Sequence, residues 1–519
     1  MKELTCPRYL KQLLLHGDNI SFVDYDDVEY SARTFYEQSL RLANALRSNL
    51  KLEPSEPFAV LAGNSYRYIT LWAAAYFGGG VISAMNTRLH ALEIRQMLQH
   101  VGCRTIFADA ETIGLVREAT AGFDPAPRLV RLDDVSEDGA LTYAELINSG
   151  ELALLEEPAE DSTVLYSFTG GTTGRSKTVM ITQRSLALNF WRSHFNWGGA
   201  GRGAVYYLSS PLFHVAGSGV GALYGPISGG KVIIRKTFDP GQMLDDIERF
   251  QVTHVGLVPT MLSMLLEHPS FKSSKFAPLR RISYGAAPMP PALLRQMMAM
   301  FPHAEFGSSY GMTEAGGPVT ALTPEDHDPA ETKLNSVGRP MPGVALTIRL
   351  PDGAEAPVGT PGEIWLQSGG LTEGYLKDPE ETKLAFSGGW FHTGDAGYVD
   401  EQGYVYLVDR LKDMIVSGGE NVYSVEVERA IASHPDVSQV AVVGLPHPHW
   451  GEVVHAVVVP RPGAALTQDM IVAHSQAHIA RYKCPKSVEF RSEPLPLSAV
   501  NKVLKRKLRE DATHRIRVS

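Results

Sequence analysis

SFTGGTTGRSKTVMIT, residues Ser167 to Thr182, gathers glycines, hydroxyls and a lysine into one loop. A nucleotide-hydrolysing P-loop places its lysine directly after the last glycine and opens a helix there, so that backbone N–H groups and the helix N-terminus both face phosphate. Here Lys177 stands beyond Arg175 and Ser176. The residues that follow, TVMIT, are β-branched and apolar, which predicts a strand rather than a helix. With TVLYSF (Thr163 to Phe168) before it, the unit reads as strand, glycine loop, strand. Such a loop still brings backbone donors close to phosphate oxygens, with hydroxyls from Thr169, Thr172 and Thr173 and a positive charge from Lys177.

Working outward, the sequence from Pro57 alternates between strand and helix signals. FAVLA, VISAM and RTIFAD read as strands, and YRYITLWAAAYF and ALEIRQMLQHV as the helices between them. This βαβ pattern predicts a largely parallel sheet covered by helices. It returns at KVIIR, GQMLDDIERF, THVGLVP and TMLSMLLEH, so two related sheets are expected. Around Leu346 the composition changes to short strands joined by proline and glycine turns, closer to a small distorted β-barrel. After Ile415 it changes again, to a compact α+β unit. The expected organisation is a large α/β N-terminal domain, residues 1–410, followed by a small C-terminal domain, residues 411–519.

Length and charge narrow the function. A chain of 519 residues exceeds what one hydrophobic core usually supports. With 48 Lys and Arg against 57 Asp and Glu, the net charge of -9 argues against a nucleic-acid partner. The one basic run, NKVLKRKLR (Asn501 to Arg509), reads either as a solvated helix face or as a contact for a small anion. Cys6, Cys103 and Cys484 have no metal-like spacing and suit a reducing, cytoplasmic location. The N-terminal stretch is interrupted by charges and lacks a small-residue cleavage site, so it does not read as a signal peptide. LWAAAYFGGGVISAM, Leu71 to Met85, falls short of the roughly 20 residues that span a bilayer. A core helix, a glycine turn and a buried strand explain it better. HPHW, His447 to Trp450, lacks further ligands at zinc spacing and reads as a loop.

Six further stretches set polar groups beside glycines: PLFHVAG (Pro211 to Gly217), YGAAP (Tyr284 to Pro288), SSYGMTEAGG (Ser308 to Gly317), WFHTGDAGYVD (Trp390 to Asp400), DRLKDMIVSGGENVYSVEVE (Asp409 to Glu428) and PLPLSAVNKVLKR (Pro494 to Arg506). With the opening loop, and in this order over nearly the whole chain, they resemble the adenylate-forming superfamily of acyl-CoA synthetases, adenylation domains and luciferases. The resemblance implies a two-step reaction. A carboxylate attacks the α-phosphate of ATP, and a thiol then attacks the mixed anhydride.

It also implies roles for individual residues. The loop Thr169, Gly170, Gly171, Thr172, Thr173, Gly174 and Lys177 would hold the β- and γ-phosphates, while Thr313 and Glu314 meet the α-phosphate and Mg²⁺. A carboxylate suits that hard cation. Gly285, Ala286, Ala287 and Pro288 would wall the adenine, with Ser309, Tyr310, Gly311 and Met312 beside it and Tyr310 stacked on the base. Asp395 would accept from the ribose hydroxyls, assisted by Arg410. Phe213, His214, Val215, Gly217, Gly307, Gly316 and Gly317 would line the acyl pocket. Lys502 would serve adenylation, Lys412 would be the hinge, and Gly418, Gly419 and Glu420 would flank the CoA thiol.

Departures from the superfamily pattern are Gly170, Ser176 and Thr178 in the phosphate loop and Asn501 before Lys502, which bear on rate more than on the reaction. His214 stands where amino-acid-activating domains usually carry Asp, which favours acyl- or aryl-CoA ligation. Loading of a carrier-protein thiol, or a weakly active regulatory homologue, remains as an alternative. Expected cofactors and partners are ATP, Mg²⁺, coenzyme A and an uncharged aromatic or short-to-medium aliphatic acid, with no nucleic acid and no membrane span. A homodimer stays open.

Overall fold

The computed structural model describes residues 4–136, 139–169, 177–197, 201–214, 219–287, 289–411, 413–417, 420–497 and 503–518. Two sheets organise the large domain. The first has seven strands, in the spatial order Leu141–Thr142, Arg128–Arg131, Thr105–Ala108, Pro57–Leu61, Val81–Ala84, Thr163–Thr169 and Lys177–Thr182. All its pairings are parallel except the last, an antiparallel hairpin in which Thr169 faces Lys177. The strand–loop–strand reading of the opening stretch is therefore what forms. Gly170 to Ser176, the tip itself, lies outside the described residues.

The second sheet has nine strands. Five parallel pairings join Ile20–Val23, Lys231–Ile234, Val205–Leu208, His254–Leu257, Arg281–Gly285 and Glu305–Met312. Antiparallel neighbours close both ends, Glu29–Ser31 at one and Gly317–Leu322 with Arg339–Pro340 at the other. The helix Tyr66–Tyr76 has every residue but Arg67 buried. A helix apolar all round needs cover on all sides, and this one shares its core with residues of both sheets. The apolar run around it is thus a core helix, a glycine turn and a buried strand. Gly79 is required in that turn, because a Cβ there would stand 2.9 Å from the Ala74 carbonyl oxygen.

A third sheet is antiparallel and curled into a half-barrel, where a small distorted β-barrel was expected near Leu346. Its long strand Trp390–Val399 pairs with Gly362–Ser368, with Phe386–Ser387 and with Val405–Arg410, while Val344–Arg349 extends the far edge. The small domain holds a five-stranded sheet built on the long pair Val437–His447 and Gly451–Pro460, with helices Ser424–Ala432, Gln468–His478 and Lys505–Val518. From Lys505 onward the basic run is helical, with a solvated face at Arg506 and Lys507. Lys505 differs: it turns inward to an ion pair with Glu428 at 2.8 Å and donates to Ser424 Oγ at 2.6 Å. His447 ends its strand and accepts from the backbone N–H groups of His449 and Trp450. Among the described residues, no helix is long and apolar enough to cross a membrane.

Candidate active site

The carboxyl ends of the parallel strands, where an open α/β sheet presents ligand-binding loops, bring most of the described candidates together. Arg281–Gly285 and Glu305–Met312 run side by side, with Gly285 opposite Ser309. A Cβ on Gly285 would sit 2.9 Å from the Ser309 carbonyl oxygen, so the two backbones touch. Directly after it, Ala286 is held at φ 62°, a left-handed conformation that costs a non-glycine residue on the order of 1 kcal/mol. Strain of this kind marks the turn as fixed by its surroundings. Ala287 follows in the same turn, and Pro288 lies outside the described residues.

Beyond Ser309 the strand carries Tyr310, only 8% exposed. Its hydroxyl donates to Asp395 Oδ2 at 2.7 Å, and Arg410 Nε meets the other carboxylate oxygen of Asp395 at 2.9 Å. Asp395 and Arg410 are direct cross-strand partners in the curled sheet. The Asp395 N–H donates to Thr393 Oγ1 at 3.0 Å, which fixes the bend at Gly394. Burial, then Asp395, pushes the Tyr310 phenol far above its ordinary range. It stays protonated and a donor. Sequence reasoning placed Tyr310 and Asp395 on one nucleoside, and the structure joins them by a hydrogen bond.

Glu314 sits in a single 3₁₀ turn, Thr313–Ala315, that follows Met312. Its backbone oxygen accepts from Thr372 N–H at 3.0 Å and its side-chain Oε1 from the Tyr375 hydroxyl at 3.1 Å. Gly374 to Leu376 lie along the glycine-loop hairpin: Met180 N–H donates to Gly374 O at 3.0 Å and Leu376 N–H to Thr178 O at 2.8 Å. The Tyr375 ring thereby comes beneath Lys177, whose Nζ stands 4.8 Å from its centroid. Lys177 also forms an ion pair with Glu381, on the helix Pro379–Ala385. Tyr375 and Glu381 were missed by sequence reasoning. The only local signal was Asp378–Pro379, a helix start with Asp378 capping the Glu381 N–H.

The expected acyl-pocket glycines are closely backed. A Cβ on Gly307 would meet Arg281 Nη2 at 2.6 Å, one on Gly316 the Gly370 carbonyl oxygen at 2.7 Å, and one on Gly317 Asn189 Nδ2 at 2.4 Å. Small residues here admit neighbouring protein atoms rather than leaving room. Gly311 is pressed in the same way, 2.2 Å from the Gly317 carbonyl oxygen by that measure. Phe213 packs against the main core, and His214 N–H closes a turn onto Pro211 O at 3.1 Å. Buried Asn64 pins that turn, accepting from Leu212 N–H at 2.8 Å and donating to Ser210 O at 2.9 Å. In the small domain Glu420 faces Ser417 across a short antiparallel pair. Val215, Gly217, Lys412, Gly418, Gly419 and Lys502 lie outside the described residues.

A hydroxyl, a carboxylate and a lysine meet at one hairpin, and a buried tyrosine–aspartate pair is joined to the exposed Arg410, an arrangement in keeping with an adenylate-forming enzyme. The chain belongs to the AMP-binding enzyme family, and its acid–thiol ligase character follows its relatives. Residues 11–376 match the model of the AMP-binding enzyme and residues 426–502 that of the AMP-binding enzyme C-terminal domain. It is 35% identical over 488 residues to a feruloyl-CoA synthase of an Amycolatopsis species, covering 92% of this chain and 94% of that one. It is 33% identical to the fatty acid–[acyl-carrier-protein] ligase ScoC of Streptomyces coeruleorubidus, over 92% and 91% of the two chains. ATP-bound MatB from Rhodopseudomonas palustris superposes with a TM-score of 0.88 at 28% identity, over 97% and 98%.

Proposed function

We propose that the chain is an ATP-dependent carboxylic acid–CoA ligase. The acid's carboxylate oxygen attacks the α-phosphorus of ATP, and the bond to pyrophosphate breaks. The thiol sulfur then attacks the acyl carbonyl, losing its proton to solvent. AMP departs with the oxygen that came from the acid. The observation that carries this reading is the convergence of Lys177, Tyr375 and Glu314, which sets a cation and an oriented carboxylate at the mouth of a glycine loop. Charge spreads over phosphate oxygens in the first step, and fixed donors stabilise it there.

In this reading Tyr310, Asp395 and Arg410 hold the nucleoside. Each Asp395 oxygen has one lone pair engaged, which leaves capacity to accept from a ribose hydroxyl. Gly285 to Pro288 wall the base. Mg²⁺ fits the donor set: Glu314 offers one carboxylate oriented by Tyr375, and Mg²⁺ is commonly held by one or two carboxylates with phosphates and waters. Glu314 would hold it, and the ion would neutralise charge on the phosphates.

We place the domain boundary between Arg410 and Leu411, within the stretch that separates the two family matches, with Lys412 as hinge. Lys502 then serves adenylation and Gly418 to Glu420 the thiol passage. Across the proposed boundary, Asp409 Oδ2 accepts from both Ser424 N–H at 2.5 Å and Ser424 Oγ at 2.6 Å. A rotation of the small domain therefore has to exchange or carry this contact.

A carrier-protein thiol is the second reading, favoured by the likeness to ScoC. Acid-dependent exchange of pyrophosphate into ATP, measured without any thiol, tests the first step for both. Adding CoA or a phosphopantetheinylated carrier protein then separates them: acyl-CoA formation is expected, and acylation of the carrier alone would favour the second.

A further inference from the structure

The strand Val405–Arg410 ends beside the Tyr310–Asp395 pair. Arg410 reaches Asp395 there, yet its side chain is 50% exposed, so burial does not hold the guanidinium in place. Its backbone N–H donates to Asp409 Oδ1 at 2.7 Å. Asp409 is buried, and its other oxygen takes both bonds from Ser424, which is fully buried at the start of helix Ser424–Ala432. The Ser424 hydroxyl in turn accepts from Lys505 Nζ at 2.6 Å, and Lys505 pairs with Glu428 at 2.8 Å. Glu428 Oε1 also accepts from the Val442 N–H at 2.8 Å. One connected path thus runs from Tyr310 and Asp395 through Arg410, Asp409 and Ser424 to Lys505 and Glu428.

The donors in this path have a fixed direction. A lysine ammonium only donates, so it gives to Ser424 and leaves that hydroxyl its single proton for Asp409. Burial favours the neutral amine, but the charges of Glu428 and Asp409 outweigh it and hold the Lys505 ammonium above the usual lysine range. Lys505 opens the last helix of the small domain, Lys505–Val518, and Leu508 and Ala512 pack that helix into the core beside strand Val437–His447. The ammonium is therefore fixed to the small domain, while Asp409 belongs to the strand that carries Arg410. Without the cation, Asp409 and Glu428 would be two largely buried carboxylates short of donors. Asp409 then gains by turning towards water, and the Arg410 N–H loses its partner.

We infer that Lys505 is a positioning residue for nucleotide binding: acting through Ser424 and Asp409, it sets Arg410 against Asp395, so that affinity for the nucleotide depends on the small domain being docked in this orientation. This rests on the reading above in which Asp395 and Arg410 hold the nucleoside. By linkage, whatever docking adds to nucleotide affinity, bound nucleotide adds to docking.

Calorimetric titration of the full-length enzyme with AMP tests this without turnover. Lys505→Met should weaken binding about five- to tenfold, within the usual range of coupling between sites, and Lys505→Arg, which keeps the charge, should recover most of the loss. In an Asp395→Asn background Lys505→Met should cost nothing further, because its path ends on that carboxylate, whereas a loss through general destabilisation would recur there in full. Removing one partner of a buried pair can unfold a domain. Ser424→Ala leaves the Lys505–Glu428 pair intact, so it serves as the second variant and should weaken AMP binding at least about threefold. Native affinity in folded Lys505→Met or in Ser424→Ala, or the same loss repeated in the Asp395→Asn background, overturns the inference and leaves the ligase reading standing. Absence of AMP binding by the native enzyme, or undiminished binding by Asp395→Asn alone, overturns the nucleoside reading and the inference with it.

Discussion

The Tyr375 hydroxyl donates to Glu314 Oε1 at 3.1 Å, across 61 residues of sequence. That bond fixes a carboxylate which its own short turn could not orient, and the same tyrosine ring supports Lys177. Tyr375→Phe keeps the ring and removes the bond. We expect adenylation to fall about tenfold with the fold intact, consistent with the loss of one hydrogen bond to a charged group. The deficit should shrink at high Mg²⁺. Glu314→Gln should lose on the order of a hundredfold or more. Pyrophosphate release at graded Mg²⁺ checks both, and equal rates for Tyr375→Phe and the native enzyme would show that Glu314 needs no such support.

Lys177 and Glu381 form a part-exposed ion pair beside the glycine loop. If Lys177 meets an ATP phosphate, that phosphate competes with this carboxylate for the lysine. Glu381→Gln should therefore lower KM for ATP by a few-fold, in line with the modest worth of solvated pairs. Lys177→Met should raise it about tenfold or more. Titrating KM against ATP in both variants decides the matter, and a rise in the Glu381 variant would mean the pair positions the lysine instead.

Asp395 is 5% exposed and bonded by Tyr310 and Arg410. If it receives a ribose hydroxyl, the native enzyme should prefer ATP to 2′-deoxy-ATP. Asp395→Asn still accepts from Tyr310 but turns one acceptor into a donor facing Arg410. That preference should then narrow while KM for ATP rises about ten- to a hundredfold. Equal use of both nucleotides by the native enzyme would move the ribose elsewhere.

Acid should destabilise the fold through two buried histidines. His254 is pushed down to about 4 by burial and neighbouring arginines, and His327 likewise to about 4 by burial. The second is held neutral between two partners, its Nε2 3.0 Å from the Tyr284 hydroxyl and its Nδ1 2.7 Å from the Thr323 carbonyl oxygen. With folded values below the ordinary 6.5, the unfolded chain binds more protons between pH 6.5 and 4, so stability is lost as pH falls through that window. Each contributes about 2 to 3 kcal/mol of loss at pH 4.5. Asp24 works in the opposite sense, raised by burial to about 6, so it offsets about one of the two. Urea unfolding from pH 7 to 4.5 should show the net fall, and His254→Gln should flatten it. An unchanged slope would mean His254 is not buried as neutral imidazole.

The strand–loop–strand unit was legible because period and β-branching are local, and so were the βαβ runs and the helix Ala91–Val101, whose predicted ends coincide with those found. Tyr310, Asp395, Glu314 and Lys177 could be singled out as candidates because each sits inside a motif. Tyr375, Glu381 and Asn64 could not. Each acts through a partner distant in sequence, as in Asn64 to Leu212, 148 residues on, and no spacing along the chain encodes such a pairing. The glycines at 307, 316 and 317 mark close approach, and only the folded chain shows which protein atoms make it.

In the proposed first step the acid's own oxygen attacks the α-phosphorus. Turnover of a carboxylic acid labelled with ¹⁸O in its carboxyl, with ATP and CoA, tests it through the mass of the phosphate products. AMP carrying one ¹⁸O atom and unlabelled pyrophosphate are expected. Label in inorganic phosphate with formation of ADP, or AMP without label, would contradict it.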